Sequence, residues 1–67
     1  MVNTNKIKAR IIELGMTQSG VADSMGMAQA TLNLKISGKR PLTIKDADKL
    51  ISILNISKKE IGEYFFN

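Results

Sequence analysis

The sequence predicts an all-α fold, in which five short helices pack into one compact domain spanning residues 1–67. Three observations support this prediction. Apolar residues recur at the three- and four-residue spacing of an amphipathic helix and do not alternate as in a strand. The polar breaks between these stretches contain residues that begin or end helices. A chain of 67 residues is also too short for a second domain of ordinary size.

The first two helices are predicted from their caps and their glycine stops. The first runs from about Lys6 to Leu14, with Asn5 or Thr4 as its N-cap. The second begins after Thr17, whose hydroxyl can accept hydrogen bonds from the N–H groups of the first turn. A glycine follows each helix and can adopt the left-handed conformation that ends it; these are Gly15 and Gly26.

The third helix is predicted over residues 29–36, with Gly38 as its left-handed stop. Its N-cap position holds Ala28, which has no side-chain acceptor for the N–H groups of the first turn. This helix start is therefore weaker by about 1 kcal/mol than one capped by serine or threonine. We expect Ile36 to be buried and the aliphatic stem of Lys35 to lie across apolar surface.

The last two helices are predicted from acidic residues that follow a capping hydroxyl. The fourth starts at Thr43, has Asp46 in its first turn and continues to Asn55. Ser57 and Glu60 have the spacing of a capping box, so the fifth helix is predicted to begin there. It leads into all the aromatic residues of the chain, which are Tyr64, Phe65 and Phe66. These three either fold back as core or present a protein interface.

The charge distribution favours a polyanionic partner. Ten Lys or Arg residues against six Asp or Glu give a net charge of +4. No acidic residue lies between Ser24 and Lys45, so that stretch should form an electropositive surface. Its cations are Lys35, Lys39, Arg40 and Lys45.

The composition argues against several other classes of protein. The chain has no histidine and no cysteine, and its carboxylates are scattered singly, so we expect no catalytic residues, no metal site and no cofactor. Its longest apolar runs are far shorter than the roughly 20 residues that span a bilayer. We therefore expect no membrane association and a cytoplasmic protein.

The second and third predicted helices form a helix-turn-helix unit over about residues 17–37. Both are short, a sharp turn at residues 26–28 separates them, and Ala22 is small enough for close approach. In such a unit the first helix crosses the DNA backbone, and the second presents its N-terminal residues to base edges. The sequence therefore predicts that residues 29–36 form a recognition helix.

The run from Met16 to Gln29 resembles the corresponding segment of lambda-repressor and Cro-type DNA-binding domains. The resemblance continues without gaps to about Ile61 and so covers most of the chain. Its motif is a Thr-Gln pair at the helix start, an alanine five residues on, a glycine nine residues on and a later glycine stop. These residues are Thr17, Gln18, Ala22, Gly26 and Gly38.

The resemblance implies base contacts from the recognition helix at Gln29, Ala30, Asn33 and Leu34. A glutamine amide can pair with both N6 and N7 of adenine, so Gln29 is the strongest candidate. Ala30 and Leu34 have no polar side-chain atoms and can only sense thymine methyl groups or exclude a wrong base. Leu34 belongs to the core instead if the helix is rotated about its axis.

The resemblance also implies contacts to the DNA backbone at Gln18, Ser19, Ser37, Lys39 and Arg40. Gln18 falls at the family position that meets a phosphate and braces the first recognition glutamine, and its amide has the donor and the acceptor for both. Contacts of this kind position the protein without specifying sequence. The chain departs from the family pattern at Ala28, which replaces the usual capping hydroxyl, and at Gly20, which weakens the second helix.

The implied function is a transcriptional regulator of the phage or prophage Cro type in a bacterial cell. It would bind double-stranded operator DNA as a homodimer, through the fifth helix and the aromatic residues, on half-sites about 34 Å apart. An antirepressor that binds a partner phage repressor is the alternative, and an antitoxin of the same fold is another.

Overall fold

The amphipathic stretches form five helices joined by short turns. A computed structural model describes residues 2–66, and within that range no strand is present. The helices are α1 (Thr4–Glu13), α2 (Gln18–Ser24), α3 (Gln29–Ile36), α4 (Ile44–Ile53) and α5 (Ile61–Phe65). The predicted all-α fold of five helices is confirmed. Over the same residues, no helix has the length and apolar composition needed to cross a bilayer.

The first helix begins earlier than the sequence predicts. Its N-cap is Asn3, whose side chain accepts a hydrogen bond from the N–H of Lys6 at 3.1 Å, so the prediction of Thr4 or Asn5 is wrong. The backbone N–H of Asn3 also donates to the carbonyl of Tyr64 at 2.8 Å. The start of α1 is thus tied to α5, a contact between distant parts of the chain.

The fifth helix begins later than predicted, because Ser57 and Glu60 do not form a capping box. The N–H and the hydroxyl of Ser57 both donate to the Glu60 carboxylate, at 3.4 and 2.9 Å, but the N–H of Glu60 does not donate to that hydroxyl, so only half of the box is present. The N–H of Glu60 donates to the Ser57 carbonyl at 3.0 Å, which closes a turn, and α5 starts only at Ile61. The preceding helix also ends early, at Ile53, and Asn55 takes the left-handed conformation at φ 50°.

The core is built from the apolar faces of all five helices and the segment before α5. Its buried side chains are Ile7, Ile11, Val21, Ala22, Met25, Leu32, Ile36, Leu50, Leu54, Ile56, Tyr64 and Phe65. The expected burial of Ile36 is confirmed. Of the three aromatic residues predicted as core or interface, Tyr64 and Phe65 lie in the core because α5 packs against α1. Phe66 is 77% exposed, and its role as an interface stays a prediction.

Candidate nucleic-acid interface

The predicted helix-turn-helix unit forms where α2 and α3 pack against each other. Between them Gly26 has φ +72°, a conformation that glycine adopts without steric penalty. The N–H of Met27 donates to the carbonyl of Ala22 at 3.0 Å, which folds the turn back onto α2. Ala22 is buried, and its small side chain lets the two helices approach closely. This packing fixes the direction in which α3 projects.

The start of α2 is capped as the sequence predicts. The Thr17 hydroxyl accepts a hydrogen bond from the N–H of Gly20 at 3.0 Å. An added Cβ at Gly20 would lie 3.2 Å from the same hydroxyl oxygen, so glycine leaves room for the cap. The first turn of α2 holds two of the residues predicted to contact the DNA backbone. Of these, Ser19 is exposed and Gln18 is half-buried.

The recognition helix has two distinct faces. Leu32 and Ile36 on one face are fully buried and anchor α3 in the core. The four residues predicted to contact bases are all exposed, namely Gln29, Ala30, Asn33 and Leu34. Leu34 is 37% exposed, so the alternative that it belongs to the core is wrong. The structure therefore presents these four side chains on the surface, and their contact with bases stays a prediction.

A groove of about 410 Å³ joins the recognition helix to its neighbours. Its lining residues are Lys8, Ala30, Asn33, Leu34, Ser37 and Lys39. The groove thus combines predicted base-contact residues with predicted backbone-contact residues. It also contains a cation from α1, Lys8, that the sequence analysis missed. The Thr4 hydroxyl donates to the carbonyl of Ile36, and this bond holds α1 against the end of α3.

The loop after α3 folds back onto the end of that helix. The carbonyl of Leu34 accepts from the Ser37 hydroxyl at 3.1 Å, from the N–H of Lys39 at 2.9 Å and from the N–H of Arg40 at 3.1 Å. Gly38 makes this possible by adopting φ +82°. The side chains of Ser37, Lys39 and Arg40 remain exposed, so two cations lie directly beside the recognition helix.

Lys35 does not belong to the electropositive surface that the sequence predicts. Its Nζ lies 2.6 Å from Oδ2 of Asp46, and the two side chains are only 16% and 11% exposed. The Lys35 ammonium, together with hydrogen bonds from Thr43, holds the pKa of Asp46 below its usual range. The prediction for Lys35 is therefore corrected. The other three cations of that stretch, Lys39, Arg40 and Lys45, are exposed.

Comparison of the sequence with models of known protein families shows a match to a helix-turn-helix family. A family model described as helix-turn-helix matches residues 7–61, a segment that contains α2, α3 and α4 in full. A search of curated proteins finds no match. The matched segment includes the α2–α3 turn, the exposed face of α3 and the cationic loop that follows it.

Proposed function

Because the chain belongs to the lambda-repressor/Cro-like helix-turn-helix family of DNA-binding regulators, we propose that it is a sequence-specific transcriptional regulator. Its recognition helix α3 enters the major groove of operator DNA. The observation that carries this proposal is the division of α3 into a buried face and an exposed face that holds all four candidate base-contact residues.

Gln29 is the main base reader in this proposal. It lies exposed in the first turn of α3, the part of a recognition helix that approaches base edges. Its amide can donate to adenine N7 and accept from adenine N6, a pair that no other base offers in the major groove. Ala30 and Leu34 contact thymine methyl groups, and Asn33 bonds a base or a phosphate.

The cations around α3 hold the DNA backbone. Lys8 contributes from α1, and Lys39 and Arg40 contribute from the loop after α3; Lys8 and Lys39 line the same groove beside the reading face. Gln18, Ser19 and Ser37 add neutral hydrogen-bond donors. These contacts supply affinity for any sequence and fix the orientation in which Gln29 meets the bases.

We propose that the chain binds a pseudo-palindromic operator as a homodimer, since a single recognition helix reads only a few base pairs. The interface centres on two exposed apolar side chains, Phe66 at 77% and Ile44 at 83%. They line the same grooves beside α4 and α5. In this proposal the chain is a phage or prophage regulator of the Cro type acting in the bacterial cytoplasm.

The same apolar surface favours a second candidate function. An antirepressor would use Phe66 and Ile44 to bind a partner repressor and would read no bases. An antitoxin with this fold would combine a protein partner with operator binding.

Selection of binding sites from random duplexes tests the proposed function. The wild-type chain should enrich one sequence with two related half-sites. Gln29→Ala should then lose about ten- to hundredfold in affinity per half-site, roughly 1–3 kcal/mol each and so about 2–6 kcal/mol for the two half-sites together, and should keep its affinity for random DNA. Ser52→Ala, an exposed truncation on α4, serves as the matched control and should bind like the wild type.

Enrichment of no sequence, or equal binding of Gln29→Ala and wild type, would contradict base reading by α3. A chain that enriches no DNA but captures a repressor encoded beside it would support the antirepressor. Phe66→Asp should then abolish that complex.

A further inference from the structure

Two apolar side chains lie together on the exposed face of α3. Ala30 and Leu34 are four residues apart, so they share one side of the helix, and both line the groove of about 410 Å³ beside it. Both are exposed, Leu34 at 37%. These two side chains form an apolar patch, the Ala30–Leu34 patch, that is open to a ligand in the groove.

The backbone around this patch is held on two sides. The carbonyl of Leu34 accepts hydrogen bonds from the N–H groups of Lys39 and Arg40, at 2.9 and 3.1 Å. The Thr4 hydroxyl donates to the carbonyl of Ile36, two residues further along. The loop and α1 therefore both fix the end of α3, which gives the rigidity that recognition of one small group requires.

The surroundings of the Ala30–Leu34 patch indicate which ligand it meets. Within residues 2–66, the ionisable residues that line the groove are both cations, Lys8 and Lys39. Asn33 and Ser37 complete the lining, and their side chains form hydrogen bonds but carry no charge. A polyanion with an exposed apolar group matches this combination. Duplex DNA has such a group in its major groove, the methyl group on C5 of thymine.

Alanine and leucine side chains respond to the methyl group of a pyrimidine and not to its hydrogen-bonding groups. Thymine presents the acceptor O4 where cytosine presents the donor N4, and an aliphatic side chain bonds neither. Cytosine that is methylated on C5 carries its methyl group at the same ring position as thymine. Asn33, the polar neighbour in the groove, has both a donor and an acceptor, so it can bond either O4 or N4.

We infer that the Ala30–Leu34 patch reads a 5-methylpyrimidine, so that it binds thymine or 5-methylcytosine and disfavours uracil and unmethylated cytosine. The inference rests on the proposed function, because it requires that α3 enters the major groove. It goes beyond that function in making affinity depend on DNA methylation. A cytosine at this position of a half-site should bind the protein more tightly once it is methylated.

Duplexes that differ only by methyl groups test the inference. In the selected operator, each thymine is replaced in turn by uracil, at the same position of both half-sites. Burial of one methyl group contributes about fourfold in affinity, so at one position uracil should weaken binding about fourfold per half-site and about 15-fold in total. At that position, cytosine and 5-methylcytosine are then compared, each paired with guanine. The methyl group should raise affinity by a similar factor.

Leu34→Ala assigns the effect to the patch. The substitution removes most of the apolar surface but keeps the backbone carbonyl that anchors the loop. The preference for methylated duplexes should fall to about twofold or less per half-site in both comparisons. Ile12→Ala is the matched control, because it shortens an exposed aliphatic side chain of α1 outside the groove, and it should keep the wild-type preference. Circular dichroism checks that each variant is folded.

Three results would overturn the inference. The wild type could lose affinity at no uracil, or it could gain from the methyl group of thymine and not from that of 5-methylcytosine. Equal losses in the wild type and Leu34→Ala would trace the effect to DNA shape instead of to the patch. The proposed function survives each of these results if Gln29→Ala still loses affinity for the operator. A selection that enriches no sequence would overturn the proposed function, and methyl reading with it.

Discussion

Ala28→Ser should stabilise the protein by completing the cap of the recognition helix. Ala28 already has the extended backbone of an N-cap, at φ −70° and ψ 150°, but makes no side-chain hydrogen bond. Thr43 has nearly the same conformation, at φ −74° and ψ 163°, and its hydroxyl accepts from the backbone N–H three residues on at 3.0 Å. A serine hydroxyl at position 28 should therefore reach the N–H of Thr31 without any change in the backbone.

The expected gain follows from the cost of removing such a cap. Replacing serine or threonine at an N-cap by alanine costs about 1 kcal/mol, within a range of roughly 0.5–2 kcal/mol. In a domain of this size, 1 kcal/mol moves the melting temperature by about 4–8 °C. Because Ala28 is exposed, the serine replaces no core contact that would offset this gain.

Thermal unfolding followed by circular dichroism measures this effect. Ala9→Ser is the matched control, since it makes the same substitution at an exposed position in the interior of α1, away from the first turn where N–H groups need a cap. It should lower the melting temperature, because serine is a poorer helix former than alanine. An unchanged or lower melting temperature for Ala28→Ser would refute the capping argument, and so would equal shifts in the two variants.

Three further predictions concern the core, the ion pair and the cationic loop. Leu32→Ala should lower the free energy of unfolding by roughly 2–5 kcal/mol, because the Leu32 side chain is fully buried in the core. A urea midpoint within error of the wild type would contradict this. The pKa of Asp46 is lowered in the folded protein, so its contribution to stability is complete above the unfolded-state pKa of about 3.9 and is lost as the pH falls below that value and through the lower pKa of the folded state. Asp46→Asn should flatten this acid dependence in denaturant titrations, and an unchanged pH profile would argue against the pairing. Arg40→Met should weaken binding to all duplexes and reduce the salt slope by about 0.9 per bound subunit, whereas a loss confined to one sequence would indicate a base contact.

Local chemistry explains which helix boundaries could be predicted. Thr17 and Thr43 cap their helices through residues three positions away, and both were evident from spacing. The start of α1 depends on Asn3, whose N–H bonds to Tyr64 at the far end of the chain. Ser57 and Glu60 have capping-box spacing, but the Ser57 hydroxyl donates to the Glu60 carboxylate. The N–H of Glu60 donates to the Ser57 carbonyl instead and closes a turn. Spacing identifies the partners but not which atom donates.

Some features of the candidate site also follow from local sequence patterns, whereas others depend on contacts between distant residues. The exposed face of α3 follows from helical periodicity once Leu32 and Ile36 are assigned to the core. Lys8 enters the groove only because α1 packs beside the end of α3, a contact that no local pattern encodes. The neutralisation of Lys35 likewise depends on where α4 begins in space, although Asp46 is only 11 residues away in sequence. The sequence therefore predicts four exposed cations between Ser24 and Lys45, whereas Lys35 is paired with Asp46.

The coupling between Gln29 and adenine N7 tests base reading by α3 most directly. In the selected operator, each adenine is replaced in turn by 7-deazaadenine, which lacks the N7 acceptor, and affinities are measured for the wild type and Gln29→Ala. At one adenine in each half-site the wild type should lose about 0.5–1.5 kcal/mol, and Gln29→Ala should lose nothing further. If both proteins lose equally at every adenine, or neither loses at any, Gln29 does not bond adenine N7 and this assignment of the base contact is wrong.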